Sequence, residues 1–234
     1  MMEDAITSLQ NYKSNFEKIE GWCSARLFDV FSDIVREIGE PDRGVAEIGV
    51  HHGKFFMLLN SLTTGKSPSY AIDIFEQQSL NIDYSGSGNL KKFQNNLKKF
   101  DRHKGANVKI ISGDSTDTSL NLRDVIGLGT LSFMSVDGGH TAEHTISDLV
   151  LAQDLISNSG LVILDDVLNA HWLGVIEGAC IYLQSYPCLV PVAIGDNKLF
   201  LAKLSFRNFY LEVFRRMSLV TKEVEFFGHR LIAL

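Results

Sequence analysis

The stretch LSFMSVDGGHTAEHTISDLVLAQDLISNSGLVILDD, residues 131–166, decides how this chain is read. Two apolar runs of strand character end in acid: LSFMSV meets Asp137, and GLVIL meets Asp165 and Asp166. His140 follows the first acid by three residues. Between the runs, Ile146, Leu149, Val150, Leu155 and Ile156 mark a helix expected to end near Asn158-Ser159-Gly160. A strand, helix, strand unit places its strands in parallel, so three carboxylates and an imidazole are expected at one sheet edge. Whether Asp165 and Asp166 both turn inward stays open. Strand neighbours point to opposite faces unless the strand end leaves the pleat.

The same alternation continues outward. Upstream, GVAEIGV (44–50) reads as a buried strand turning at Gly49 and Gly53 into the helix FFMLLNSL, and YAIDIF (70–75) and NVKIISGDS (107–115) read as two more strands. Downstream, a helix over Val175–Leu183 precedes LVPVAIG and KLFLAKL, a hairpin joined at Asp196-Asn197. The fold expected is therefore α/β, a doubly wound, mostly parallel, seven-stranded sheet with a C-terminal antiparallel hairpin. It makes one domain: a helical extension over 1–40, a catalytic core over 41–204, and a C-terminal helix and tail over 205–234. The last part carries Phe206, Phe209, Tyr210, Val213, Phe214 and Met217 at helical spacing, a stripe suited to the core or to a homo-oligomer interface. Residues 76–89, EQQSLNIDYSGSGN, form a lid candidate between two patterned segments.

Composition narrows the function classes. The chain has 234 residues, 45% of them hydrophobic, and a net charge of −6, so it lacks the basic footprint of a nucleic-acid binder. Three widely spaced cysteines, Cys23, Cys180 and Cys188, fit neither a disulfide framework nor a zinc site. No apolar leader or run of about 18 apolar residues is present, so a cytoplasmic protein with no membrane partner is expected.

In a doubly wound sheet ligands bind beyond the carboxyl ends of the strands. Acids stand at that end of five expected strands: Glu47, Asp73, Asp114 (followed by Ser115), Asp137, and the pair Asp165 and Asp166. Gly49 and Gly53 supply a tight turn, but their spacing is not the GxGxxG of dinucleotide sites. Thr64-Gly65-Lys66-Ser67 imitates a phosphate loop without its first glycine, because Asn60 stands there. Two carboxylates about 4 Å apart repel by roughly 4 kcal/mol at an effective dielectric near 20, so a crowded set needs a cation, a proton or separation. Hard oxygen donors with one imidazole nearby favour magnesium, with manganese or calcium behind it, over zinc.

In order and spacing, EIGVHHG, AIDIF, SGDS, SVDGGH and LVILDD resemble the motifs of class I S-adenosylmethionine-dependent methyltransferases. The run DGGH, Glu143, helix, GLVILDD is similar, more narrowly, to the metal-dependent macrocin and mycinamicin sugar O-methyltransferases. The resemblance covers about residues 40–203. It implies that Glu47 and Gly49 lie by the methionine part of S-adenosylmethionine, Asp73 by the ribose, and Asp114 and Ser115 by the adenine, with Gly53 in the same cofactor-binding set. It also implies that Asp137, Asp165 and Asp166 hold a divalent ion such as Mg2+, that His140 is the general base with Asp137 as its catalytic companion and a further member of the cofactor set, and that the acceptor is a small molecule or sugar. Ala142 and Val167 stand where such relatives often carry aromatic residues, which concerns the acceptor pocket rather than the cofactor set. His144 is a candidate partner of His140, and Trp172 is either a wall of the acceptor pocket or core packing. Two other classes compete with an O-methyltransferase: an NAD(P)-type oxidoreductase on the same kind of sheet, and a non-catalytic cofactor-binding scaffold.

Overall fold

The computed structural model describes residues 2–185 and 188–234. The chain divides into two compact units, Met1–Asp114 and Ser115–Leu234.

The first unit begins with α1 (Met2–Lys13) and α2 (Arg26–Ile38), followed by β1 (Gly44–Ile48), α3 (Lys54–Ser61), β2 (Ser69–Asp73), α4 (Leu90–Phe100) and β3 (Val108–Ser112). Its strands lie in the order β3-β2-β1, all parallel, with Ala46 opposite Tyr70 and Ser69 opposite Val108. β1 and β2 are buried along their whole length, the signature of strands covered on both faces. Helix α1 is no loose arm. Ala5, Leu9 and Tyr12 are buried, the Tyr12 hydroxyl donates to the Lys54 carbonyl at 2.6 Å, and Tyr12 and Phe16 both pack on Phe28.

The second unit contains α5 (Leu122–Ile126), β4 (Leu131–Val136), α6 (Ala142–Leu155), β5 (Ile156–Leu164), α7 (Leu173–Ser185), β6 (Leu189–Gly195), β7 (Lys198–Lys203), α8 (Arg207–Arg215), β8 (Lys222–Phe226) and β9 (His229–Ala233). Its strand order is β4-β5-β7-β6-β9-β8. The β4–β5 and β6–β9 pairs are parallel, and β5–β7, β6–β7 and β8–β9 are antiparallel. The hairpin expected at Asp196-Asn197 forms, with φ of 48° and 65° at those residues, the left-handed pair that a two-residue turn requires.

Three expectations are corrected. The described strands number nine, not seven. The two more are β8 and β9, a hairpin turning at Phe227 and Gly228 with φ of 50° and 74°. The region after α8 is therefore sheet, not a tail. The helix expected to reach Asn158 stops at Leu155, and residues 156–160 already belong to β5. Apolar Ile156 satisfies both periodicities, and the strand wins because Leu131 pairs with it. Among the described residues no helix is long and apolar enough to cross a membrane, and no disulfide forms.

Candidate active site

In the first unit the expected cofactor residues sit at the carboxyl ends of the parallel strands. Glu47 is buried in β1, 2% exposed, and the chain turns at Gly49 with φ of 83°. Asp73 closes β2 and is held by backbone: its Oδ2 accepts the His51 N–H at 2.7 Å and its Oδ1 the Phe75 N–H at 2.5 Å. Burial raises the Asp73 carboxyl, against the lowering effect of those two donors. Gly53 has φ of 87°, and a Cβ there would meet the Phe93 ring at 2.7 Å. That glycine serves the packing of α4. Gly88, in the lid candidate, lies directly against Asp73, since its Cβ would stand 2.7 Å from Asp73 Oδ1. The lid segment is tied down locally, with Asn81 donating to the Ser85 and Gly86 carbonyls and the Glu76 carboxylate accepting the Leu90 N–H. The His51 and His52 rings lie tilted at 36° with centroids 3.8 Å apart, and burial pushes both imidazoles below their ordinary range. Asp114, past β3, is half-buried, with Gly113 donating to the Asp73 carbonyl at 2.9 Å.

In the second unit Asp137 follows β4 directly, and the chain passes through two glycines to His140. Thr141 then caps α6, accepting the His144 N–H at 3.2 Å; such a cap contributes about 1 kcal/mol. His144 Nδ1 also meets the Thr141 hydroxyl at 2.9 Å. The loop is pressed into place by α7. A Cβ on Gly174 would lie 2.5 Å from the His140 carbonyl, and one on Gly178 2.7 Å from that of Ala142. Larger residues on this face of α7 would push the histidine loop away.

β5 ends in a break from the pleat. Asp165 still follows the ladder, its N–H donating to the Val136 carbonyl at 3.0 Å, but Asp166 adopts φ of 59°. The left-handed step separates the two acids. Asp166 Oδ2 lies 3.1 Å from His140 Nε2, which is 3.9 Å from Asp137 Oδ1. One ligand atom from each of Asp137, His140 and Asp166 lies within 4.8 Å of the others. Asp165 is not in that group; its Oδ2 pairs with the Lys198 ammonium. The expected convergence of three carboxylates is thus two carboxylates and an imidazole.

Four residues missed by the sequence reading, Asn169, Asn197, Lys198 and Gly174, complete the cluster together with Trp172. Asp166 Oδ1 accepts from Asn169 Nδ2 at 2.9 Å and Asn197 Nδ2 at 2.6 Å. Asn197 also accepts the Leu168 N–H at 3.0 Å, which fixes the loop after β5. Lys198 is 2% exposed. The indole of Trp172 stacks on His140, with centroids 4.5 Å apart and planes at 19°. Asn197 and Lys198 were hidden because Asp-Asn in a hairpin is fully explained by turn chemistry, and the signal overlooked is that a turn beside a strand-end acid delivers its side chains there. Burial raises the Asp166 carboxyl, but the bonds from His140 and Asn169, with the charges of His140 and Lys198, outweigh it and hold Asp166 below the usual range. The expected site residues thus form two sets: Glu47, Gly49, Asp73 and Asp114 in the first unit, with Ser115 opening the second, and the acid–imidazole cluster in the second.

A family model described as a methyltransferase domain matches residues 46–167, just over half of the chain. No curated protein sequence matches it. Among solved structures, cofactor-bound Rv0187 from MTB aligns with a TM-score of 0.59 and 14% identity over 86% of this chain and 89% of that one. The SAH-bound methyltransferase PaMTH1 of Podospora anserina aligns with a TM-score of 0.54 and 16% identity over 86% and 88%. MycE of the mycinamycin pathway, solved with Mg, SAH and mycinamycin VI, aligns with a TM-score of 0.54 and 16% identity over 84% of this chain but only 54% of its own. At such identities the likeness shows the fold, and the domain match agrees with it against an oxidoreductase. The chain belongs to the methyltransferase domain family and has the class I S-adenosylmethionine-dependent methyltransferase fold.

Proposed function

We propose that the chain acts as one catalytic domain in the cytoplasm, an O-methyltransferase that moves the methyl of S-adenosylmethionine to a hydroxyl of a small-molecule or glycosyl acceptor. The observation that carries this reading is the convergence of Asp137, His140 and Asp166. An alcohol is a poor nucleophile at neutral pH, and transfer needs its oxygen oriented and its proton removed. In this reading His140 takes the proton, with Asp166 on its Nε2 stabilising the imidazolium and Trp172 holding the ring plane. Asp73 takes the ribose hydroxyls, Glu47 and the Gly49 turn the methionine end, and Asp114 with Ser115 the adenine. Gly53 supports that set through the packing of α4.

The cluster also fits a divalent ion, since the carboxylates of Asp137 and Asp166 offer hard oxygen donors within reach of one centre. Such an ion would lower the pKa of an acceptor hydroxyl and fix its orientation. Asp137 and Asp166 are the carboxylates placed to hold it. MycE, a structure with Mg, gives the reading its analogy.

Calorimetric titration of S-adenosylhomocysteine into the wild-type chain and Asp166→Ala, each with and without magnesium, tests the proposal. Micromolar binding is expected in all four titrations, because Asp166 serves the acceptor side. No binding in any of them rejects a methyltransferase; unchanged turnover of an accepted hydroxylated substrate after chelation rejects the metal.

A further inference from the structure

Lys198 is the first residue of β7 and is almost wholly withdrawn from water. A buried ammonium needs a compensating charge, and here the partner is Asp165 Oδ2. The register fixes this pairing: Leu164 lies opposite Leu199, which sets Asp165, just past β5, beside Lys198, the first residue of β7. We propose that Lys198 is the resident cation of the acid pair, claiming Asp165 and leaving the divalent site to Asp137 and Asp166 beside His140. The inference rests on the metal reading above and departs from what the family resemblance implies, which makes Asp165 a ligand.

The charges support the division. Asp137, Asp165 and Asp166 with Lys198 sum to −2, which a divalent ion neutralises; without the lysine the same site carries −3. Drawing Asp165 toward the ion would part a buried ammonium from its carboxylate. The left-handed backbone at Asp166 and the two asparagine amides on its Oδ1 hold that acid on the His140 side. Lys198 is therefore a positioning residue, acting through Asp165 and through the net charge.

Titration of Mn2+, followed by the loss of the free ion's paramagnetic resonance signal, separates the possibilities without any turnover assay. In the full chain, Asp165→Asn should weaken Mn2+ binding by no more than about tenfold, the effect of one unit of site charge, while Asp166→Asn, which loses a ligand as well, should weaken it about a hundredfold or more. Lys198→Met, which keeps the volume and removes the charge, should bind at least tenfold tighter, and adding Asp165→Asn to it should abolish the gain. Thermal melts with and without Mn2+ check folding; if Lys198→Met does not fold, the Asp165→Asn and Asp166→Asn pair still decides. Loss of Mn2+ binding in Asp165→Asn as complete as in Asp166→Asn overturns the inference while keeping the metal, and so does a Lys198→Met affinity equal to wild type. Absence of binding in the wild-type chain and every variant removes the metal reading itself.

Discussion

The acid that ends β2 and the acid that follows β5 are built in opposite ways. Asp73 is gripped by two backbone N–H groups and its carboxyl is raised by burial. Asp166 is gripped by an imidazole and two side-chain amides, and its carboxyl is lowered. A site held by backbone is fixed once the strand and turn exist. One held by side chains can be retuned residue by residue, so the first suits an invariant ligand and the second an acceptor.

The largest effect that would sharpen this contrast is at His140. His140→Ala should reduce turnover by about 10²–10⁴-fold, the range for a lost general base, while leaving S-adenosylhomocysteine affinity within about twofold. A parallel fall in cofactor affinity would break the division between the two sets. Next, Asp73→Ala should weaken S-adenosylhomocysteine binding by about 10- to 100-fold in calorimetry, the equivalent of roughly 1.5–3 kcal/mol for charged hydrogen bonds, with Mn2+ binding untouched. Asn197→Gly keeps the left-handed turn and removes only the amide. It should cost about tenfold in turnover, near one charge-assisted hydrogen bond, with little change in melting temperature. The smallest effect concerns His51 and His52. Their folded pKa values lie below the ordinary 6.5. The unfolded chain therefore binds more protons just under pH 6.5, and stability falls as pH drops through that window toward the folded values. Melting scans between pH 7.5 and 5 should show the decline, and His52→Asn should flatten it by about 2 °C.

How legible all this was in the sequence follows the same division. The parallel strands, the glycine turn and the acids at strand ends follow from periodicity and spacing, because backbone geometry leaves few alternatives for buried apolar runs. The left-handed step at Asp166 does not, since nothing in Leu-Asp-Asp-Val shows where the pleat is abandoned. Lys198 opens the expected strand KLFLAKL, and its burial depends on antiparallel pairing of β7 with β5, a long-range fact. The β8–β9 hairpin was overshadowed by the aromatic stripe before it, although Phe227-Gly228 between KEVEF and HRLIA carries a turn signature.

The Asp196-Asn197 turn has a consequence for how the protein can change over generations. Surface hairpins ordinarily absorb insertions and deletions with little penalty. Here the turn residues are also the wiring of the cluster: Asn197 reaches Asp166 and Lys198 reaches Asp165. Inserting a single residue that shifts β7 against β5 would invert its faces, carrying the ammonium to the far side and an apolar neighbour into the acids. This loop is therefore a length-locked element, and drift in acceptor choice has to come from elsewhere in the chain.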